Sequence, residues 1–204
     1  MSERGMIFNA EMVNAILSGR KTQTRRPIKW KQTRFTEIAE RDDGSLWPWE
    51  EDCERGGDIW FACPYGEIGD RIWVRETFRV HSRATDVATL VYRASVRNSW
   101  TEQTHRVPVA VCNKPATPEK WTPSIHMPRW ASRITLEITG VRVERLNSIT
   151  ESDAEAEGVT DTGFGDLLVD GYRYLWKSIY GEESWAANPW VWVIEFKRVE
   201  GGAA

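Results

Sequence analysis

The sequence predicts an α+β fold, a small mixed or antiparallel β-barrel flanked by helices. Three observations lead there. Strand-like alternation recurs in separate segments, around Ile72 and Val74, at 88–94, at 132–146 and at 190–199. Helical periodicity is confined to one short segment near the start and two segments before the last strand. Neither a βαβ alternation nor a glycine-rich phosphate loop is present, which sets aside a dinucleotide-binding fold.

In chain order, AEMVNAILS at 10–18 places Met12, Val13, Ile16 and Leu17 on one stripe and reads as a short helix. Gly19 is a natural stop for it. Residues 37–58 are acidic and turn-rich and read as a loop or an insertion. Gly69-Asp70 signals a turn into a strand carrying Ile72 and Val74, and ATLVYRA at 88–94 is a second strand. Residues 98–124 are polar, hold several prolines and read as loop. The segment 132–146 alternates through Ile134, Leu136, Ile138, Val141, Val143 and Leu146, and reads as a strand pair bent at Gly140. Ser148 followed by Glu151 fits a capping box, so a short helix should end at Gly158. Residues 166–180 place Leu168, Tyr172, Leu175, Trp176 and Ile179 on one side of a longer amphipathic helix. WVWVIEFKRV at 190–199 is the final strand, apolar enough to be buried.

At 204 residues the chain fits one domain, 1–204, with ample length for a core. It has no apolar run of about 18 residues, so no membrane span is expected. The first residues lack the charged-then-apolar pattern of a signal peptide. Cys53, Cys63 and Cys112 form no CxxC pair, and a reducing cytoplasm is their simplest setting. Together with His81, His105 and His126 they show no zinc-ligand spacing, so neither a metal nor another cofactor is expected. The net charge of −3 conceals blocks: +6 over 1–36, −9 over 37–70, +7 over 71–146 and −7 over 147–204. Segregation of this kind permits a basic face, although solvated charge on a mixed surface is the plainer reading. Most of the 12 tryptophans should be framework, with one or two free to stack on a base.

The segment with the most chemistry is ILSGRKTQTRRPIK at 16–29, where five cations meet two threonines and no acid. Past a helix end, cations suit the negative pole of the dipole. They also suit catalysis. Thr24 offers a hydroxyl, and Lys21 becomes a base if burial and the neighbouring Arg20, Arg25 and Arg26 lower its pKa toward neutrality. Glu157 is the last residue before the Gly158 stop, where the helix dipole should raise the pKa of a carboxylate and suit it to proton transfer. Its plain reading is a surface acid among Glu151, Asp153 and Glu155. Glu76, in WVRETF, is a second candidate acid, with Arg75 and Arg79 as ordinary partners.

Three segments together, ILSGRKTQTRR, TESDAEAEG and WVWVIEFK, resemble the ASCH domains of the PUA-like superfamily, and within them the small bacterial N4-acetylcytidine amidohydrolases. A helix followed by Gly-x-Lys-x-x-x-x-Arg is matched at Gly19, Lys21 and Arg26. The resemblance implies a PUA-like barrel, with catalytic roles at Lys21, Thr24 and Glu157. The closing Val-Ile-Glu-Phe-Lys at 193–197 and the turn at Gly69-Asp70 match as well. The chain departs from the small enzymes in length, with insertions near 30–66 and 81–130, and in length and tryptophan content is similar to the long ASCH proteins of phages and prophages.

Two functions follow as expectations. The first is metal-independent hydrolysis of an acyl amide on a cytosine-like nucleoside or nucleobase. Thr24 would attack the acyl carbonyl, Lys21 would take its proton, and Glu157 would relay a proton to the departing amine. Arg20, Arg25, Arg26 and Glu76 would hold substrate, with Arg26 stabilising the oxyanion or orienting the base. The second is an RNA- or DNA-binding module, nucleases included. In it Arg20, Lys21, Arg25 and Arg26 would meet phosphates, and Arg129 and Trp130, in SIHMPRWASR, would contact or stack on a strand. For HMPRW the plainer role is a loop that packs its tryptophan inward.

Overall fold

The computed structural model describes residues 1–29, 37–95, 103–161 and 167–199. The chain forms two compact units, one made of Met1–Gly19, Asp70–Glu137 and Arg198–Ala204, the other of Arg20–Gly69 and Ile138–Lys197. In chain order the first elements are β1 (Glu3–Ile7), α1 (Ala10–Leu17), β2 (Gln23–Pro27), β3 (Glu37–Glu40), β4 (Leu46–Glu51) and β5 (Asp58–Trp60). They are followed by β6 (Arg71–Arg75), β7 (Phe78–Arg83), β8 (Val87–Tyr92), β9 (Thr104–Pro108) and β10 (Thr135–Arg145). Last come α2 (Glu151–Ala156), α3 (Leu168–Tyr180) and β11 (Trp190–Val199). The α+β class and the mixed, mainly antiparallel pairing are as predicted. The pairing among the described residues produces open sheets and not a closed barrel.

In the first unit, β1 runs parallel to β6, with Gly5 opposite Trp73. Glycine is required there, because a Cβ would sit 2.6 Å from Trp73 Cζ2 and 2.8 Å from Arg75 Cδ. The first residues of β10 pair antiparallel with the other edge of β6, Thr135 opposite Trp73. Asn9 caps α1 by accepting from the Met12 amide at 2.8 Å, and Met12, Val13, Ala15 and Ile16 form its buried stripe. Strands β7, β8 and β9 make an antiparallel meander over a core of Phe78, Val80, Leu90, Tyr92, Val107 and Met127.

In the second unit, β10 from Ile138 onward, β11 and β2 are sheet neighbours in that order. β11 and β2 are antiparallel, with Val193 opposite Arg25 and Ile194 opposite Thr24. Val191 and Val193 point to a core shared with Leu146, Ile149 and Ala154 near α2 and with Tyr172 and Trp176 of α3. Strands β3, β4 and β5 form a separate antiparallel sheet. Trp47 of β4 meets Trp192 of β11 edge-on, with ring centroids 5.3 Å apart. Arg41 lies over both Trp47 and Trp60, at 4.2 and 5.0 Å from their ring centroids.

Several sequence expectations change here. Strand β1 was not foreseen. The acidic tract 37–58 is not a loop: it holds β3, β4 and the start of β5, whose alternating Trp47 and Trp49 are masked in sequence by the surrounding charge. The polar tract 98–124 contains β9, and its residues 98–102 lie outside the described residues, as do 30–36 of the first insertion and the predicted helix start at Asp166. Residues 135–145 form one uninterrupted strand. Gly140 makes room for a neighbour, since a Cβ there would lie 2.7 Å from Glu195 Oε2. The capping box also moves by two residues. Thr150 is the N-cap of α2 and Asp153 its reciprocal partner. Glu151 instead caps α3, accepting from the amides of Leu168 at 2.8 Å and Val169 at 3.2 Å.

Candidate functional site

The site lies in the second unit and is built by β2, β10, β11 and α2. Helix α2 ends as predicted. Gly158 has φ +90°, its amide donates to Glu155 O, and the Val159 amide donates to Ala154 O, which is the Schellman arrangement. That stop fixes Glu157 as the C-cap. The residue before β2 is clamped to the same helix end, because the Thr22 amide donates to Ala156 O at 2.8 Å.

These constraints bring Lys21 and Glu157 together. Lys21 Nζ donates to Glu157 Oε2 at 2.6 Å and to the Glu157 carbonyl at 2.9 Å. The two side chains are 0% and 1% exposed. Burial pushes the Lys21 pKa down, opposed by the attraction and hydrogen bond of Glu157 and reinforced by the charges of Arg26 and Arg25. A lysine so placed is easier to deprotonate than one in water, as a general base requires.

Alternation along β2 sorts the remaining residues. Gln23 and Arg25 share one face. Arg25 NH1 lies 3.4 Å from Glu157 Oε1, and its NH2 lies 3.2 Å from both Glu144 Oε2 and Asp153 Oδ2. Gln23 Nε2 donates to Asp153 Oδ1 at 3.2 Å. Arg142 of β10 donates from NH2 to the same Asp153 oxygen at 2.9 Å, and it also pairs with Glu144 and Glu195. Burial disfavours the charge on Asp153, but hydrogen bonds from the Thr150 amide and hydroxyl, the charge of Arg25 and the Gln23 amide outweigh it and hold its pKa at about 2.

Thr24 and Arg26 occupy the opposite face. Thr24 is buried, and among the described residues its hydroxyl makes no hydrogen bond to Lys21 or Glu157. Arg26 stands opposite Trp192 in the strand register. Its charge opposes the rise that burial imposes on the Tyr65 pKa. Arg20 is exposed and reaches the end of α2, donating to Gly158 O at 3.3 Å. Of the predicted set, the structure therefore joins Lys21, Arg25 and Glu157 and turns Thr24 away from Arg25.

The other predicted residues lie in the first unit. Glu76 is buried and pairs with Arg133, not with Arg75 or Arg79: Arg133 Nε and NH2 donate to its two oxygens at 2.8 and 3.0 Å. Arg133 also donates to Ser95 Oγ at 2.8 Å and stacks 4.1 Å from the Tyr92 ring centroid. Burial raises the Glu76 pKa and Arg133 opposes the rise. Arg129 is tied to Glu3 by two bonds of 2.8 Å. Trp130 packs edge-on against Phe78, with centroids 6.3 Å apart, on the core of the meander. Sequence reasoning missed Asp153, Arg142 and Glu144. The capping motif was the available signal for Asp153, since it names the residue one helical turn before Glu157.

No family model matches the chain, and no curated protein matches it significantly. The backbone is similar to two solved structures. One is an ASCH domain from Lactobacillus crispatus, at 14% identity and a TM-score of 0.42, covering 97% of this chain and 79% of that one. The other is a protein from Enterococcus faecalis with the family model DUF984, at 11% identity and a TM-score of 0.41, covering 100% of this chain and 86% of that one. Among the described residues, no helix is long and apolar enough to cross a membrane, and no group of three potential metal ligands is assembled.

Proposed function

We propose that the Lys21–Glu157 pair is the proton-transfer centre of a hydrolase that removes an acyl group from the exocyclic amine of a cytosine-like nucleoside or base, with N4-acetylcytidine as the type substrate. The observation that carries this reading is the 2.6 Å contact between two almost fully buried charged groups. Burying such a pair costs several kcal/mol per ion before the attraction is counted, and perturbed ionisable groups concentrate at functional sites. In the reaction, water supplies the oxygen that joins the acyl carbon, the amide C–N bond breaks, and a proton passes to the departing exocyclic nitrogen. Lys21 in its neutral form, which its lowered pKa makes accessible, accepts the proton of the attacking hydroxyl, and Glu157 passes a proton on to the departing nitrogen. The attacking hydroxyl is either that of Thr24, through a transient acyl ester, or that of water. The position of Thr24 on the far face of β2 favours water.

The test is turnover of N4-acetylcytidine by the purified protein, followed as loss of the acyl group. Lys21→Ala and Glu157→Gln should each lower kcat/KM by about 10²–10⁴-fold, the usual worth of general acid–base catalysis. Thr24→Ala should retain most activity if water attacks, and should lose it if Thr24 does. A wild type as inert as Lys21→Ala over a range of acylated cytidines rejects the reading. Nucleic-acid binding through the same basic stretch is the second reading. It is less well supported, because Lys21 and Arg25 are buried and paired.

A further inference from the structure

Asp153 and Glu157 belong to the same helical turn, the Glu157 amide donating to the Asp153 carbonyl at 2.8 Å. Their carboxylates are bridged by a single guanidinium, that of Arg25, whose side chain is 0% exposed. Each Asp153 oxygen has its own partners. Oδ2 accepts from the Thr150 amide at 3.1 Å and its hydroxyl at 2.8 Å, besides facing Arg25. Oδ1 accepts from Gln23 and Arg142. The side chain thus joins the start of α2 to the strands that carry Arg25 and Arg142. Glu157 Oε1, in turn, faces Arg25, while Oε2 faces Lys21.

From this geometry we infer that Asp153 is the positioning residue of the site: it holds Arg25 in place, and Arg25 orients the Glu157 carboxylate so that one oxygen is presented to Lys21. The inference rests on the reading of Lys21 and Glu157 given above, but it is a statement about geometry and charge that stands or falls without turnover. The groups that face this assembly are Lys21 and Arg25 from β2 and the residues before it, Glu144 and Arg142 from β10, Glu195 from β11, Glu157 at the end of α2, and Tyr172 from α3, while the charge of Arg26 acts from the opposite face of β2. Loss of the Asp153 charge leaves Arg25 less neutralised. Its field then bears more strongly on Lys21, and a less neutralised cation nearby disfavours the charged lysine.

The experiment is titration of the Lys21 ammonium by NMR in the full chain, in wild type, Asp153→Asn and Glu155→Gln. Asn at 153 retains an oxygen that can accept from Thr150, so the helix cap is preserved while the charge is lost. Glu155 is exposed on the same helix and serves as the control for a generic charge change. The Lys21 midpoint should fall by about half a unit or more in Asp153→Asn and stay in place in Glu155→Gln. A shift that is equal in the two variants, or absent in both, overturns the inference. If the protein also turns over acylated cytidine, the Lys21-dependent limb of its pH–rate profile should move in the same direction in Asp153→Asn. A shifted titration in a protein without turnover would retain the positioning role and reject the hydrolase reading alone. Should Asp153→Asn fail to fold, Arg25→Lys provides the second variant. It keeps the charge but not the fork that bridges two carboxylates, so a Lys21 midpoint identical to wild type in it overturns the inference.

Discussion

Lys21 Nζ lies 2.6 Å from Glu157 Oε2, with both side chains almost wholly removed from water. Removing one partner strands the other as an uncompensated buried charge. Lys21→Met and Glu157→Leu should each destabilise the protein by about 3–5 kcal/mol. The double variant should cost less than their sum, by a coupling of about 0.5–3 kcal/mol. Urea unfolding of the four proteins measures the cycle, and strict additivity would show that the two groups do not act as a pair.

The lowered pKa of Lys21 has a sign in pH that is open to measurement. Below its folded pKa the lysine is charged in both states, and the cost of burying it is fully present. That cost fades as pH rises from the folded pKa toward 10.5, its ordinary value. Wild type should therefore gain stability relative to Lys21→Met through that alkaline window, as read by denaturant midpoints.

Asp153 acts at the other end of the scale. Its pKa is lowered from 3.8 to about 2, so its contribution is complete above 3.8 and is lost as pH falls through 2. The side chain is partly exposed and solvent screening reduces the effect, leaving about 1 kcal/mol. Asp153→Asn should flatten the acid limb of the stability curve by that amount between pH 4 and 2, roughly the span of the two values.

Glu76 should titrate with the opposite sign, since burial raises its pKa against the pull of Arg133. Its folded form holds the proton longer than its unfolded form, so stability falls as pH rises from 4.5 through the raised value. Arg133→Met leaves this carboxylate unpaired and should cost about 3–5 kcal/mol at neutral pH, with a smaller loss under acid. A loss that does not change with pH would show that packing over Tyr92, not the ion pair, is what Arg133 contributes.

Gly5 tests the packing of the parallel pair β1–β6. Gly5→Ala places a methyl against the Trp73 indole, and overpacking of this kind costs about 1–3 kcal/mol. The change should be visible as a lower melting temperature and altered tryptophan fluorescence.

The parts of this fold that the sequence makes legible are those with local rules. The apolar stripe of α1, the Gly158 stop and the run from Trp190 to Val199 each depend on periodicity or on one turn chemistry, and each is found where expected. Strands β3 to β5 are hidden because their tryptophans alternate with acids and a proline, so the half-buried face resembles a charged loop. Glu76 was given nearby arginines as partners, whereas its bond is to Arg133, 57 positions away. The same holds for the site. Lys21 and Glu157 were found through motif resemblance, but the network behind them runs through Arg25 and Asp153 to Arg142 and Glu144 of β10 and Glu195 of β11, and no spacing rule connects those strands to β2. The facing of Thr24 follows from alternation once 23–27 is known to be a strand, and the basic composition of that stretch concealed it.

Thr22 has one further consequence. Its amide is bonded to Ala156 O, and its carbonyl accepts from the Phe196 amide at 2.8 Å. The residue next to Lys21 is thereby anchored on both sides, to a helix end and to a central strand. Deuterium should enter the Thr22 and Phe196 amides only as slowly as the sheet itself opens. Any ligand that must displace the Glu157 carboxylate from Lys21 then competes with the contacts of the Lys21 and Arg25 side chains and not with these backbone bonds, and the exchange rates of those two amides should be unchanged when it binds.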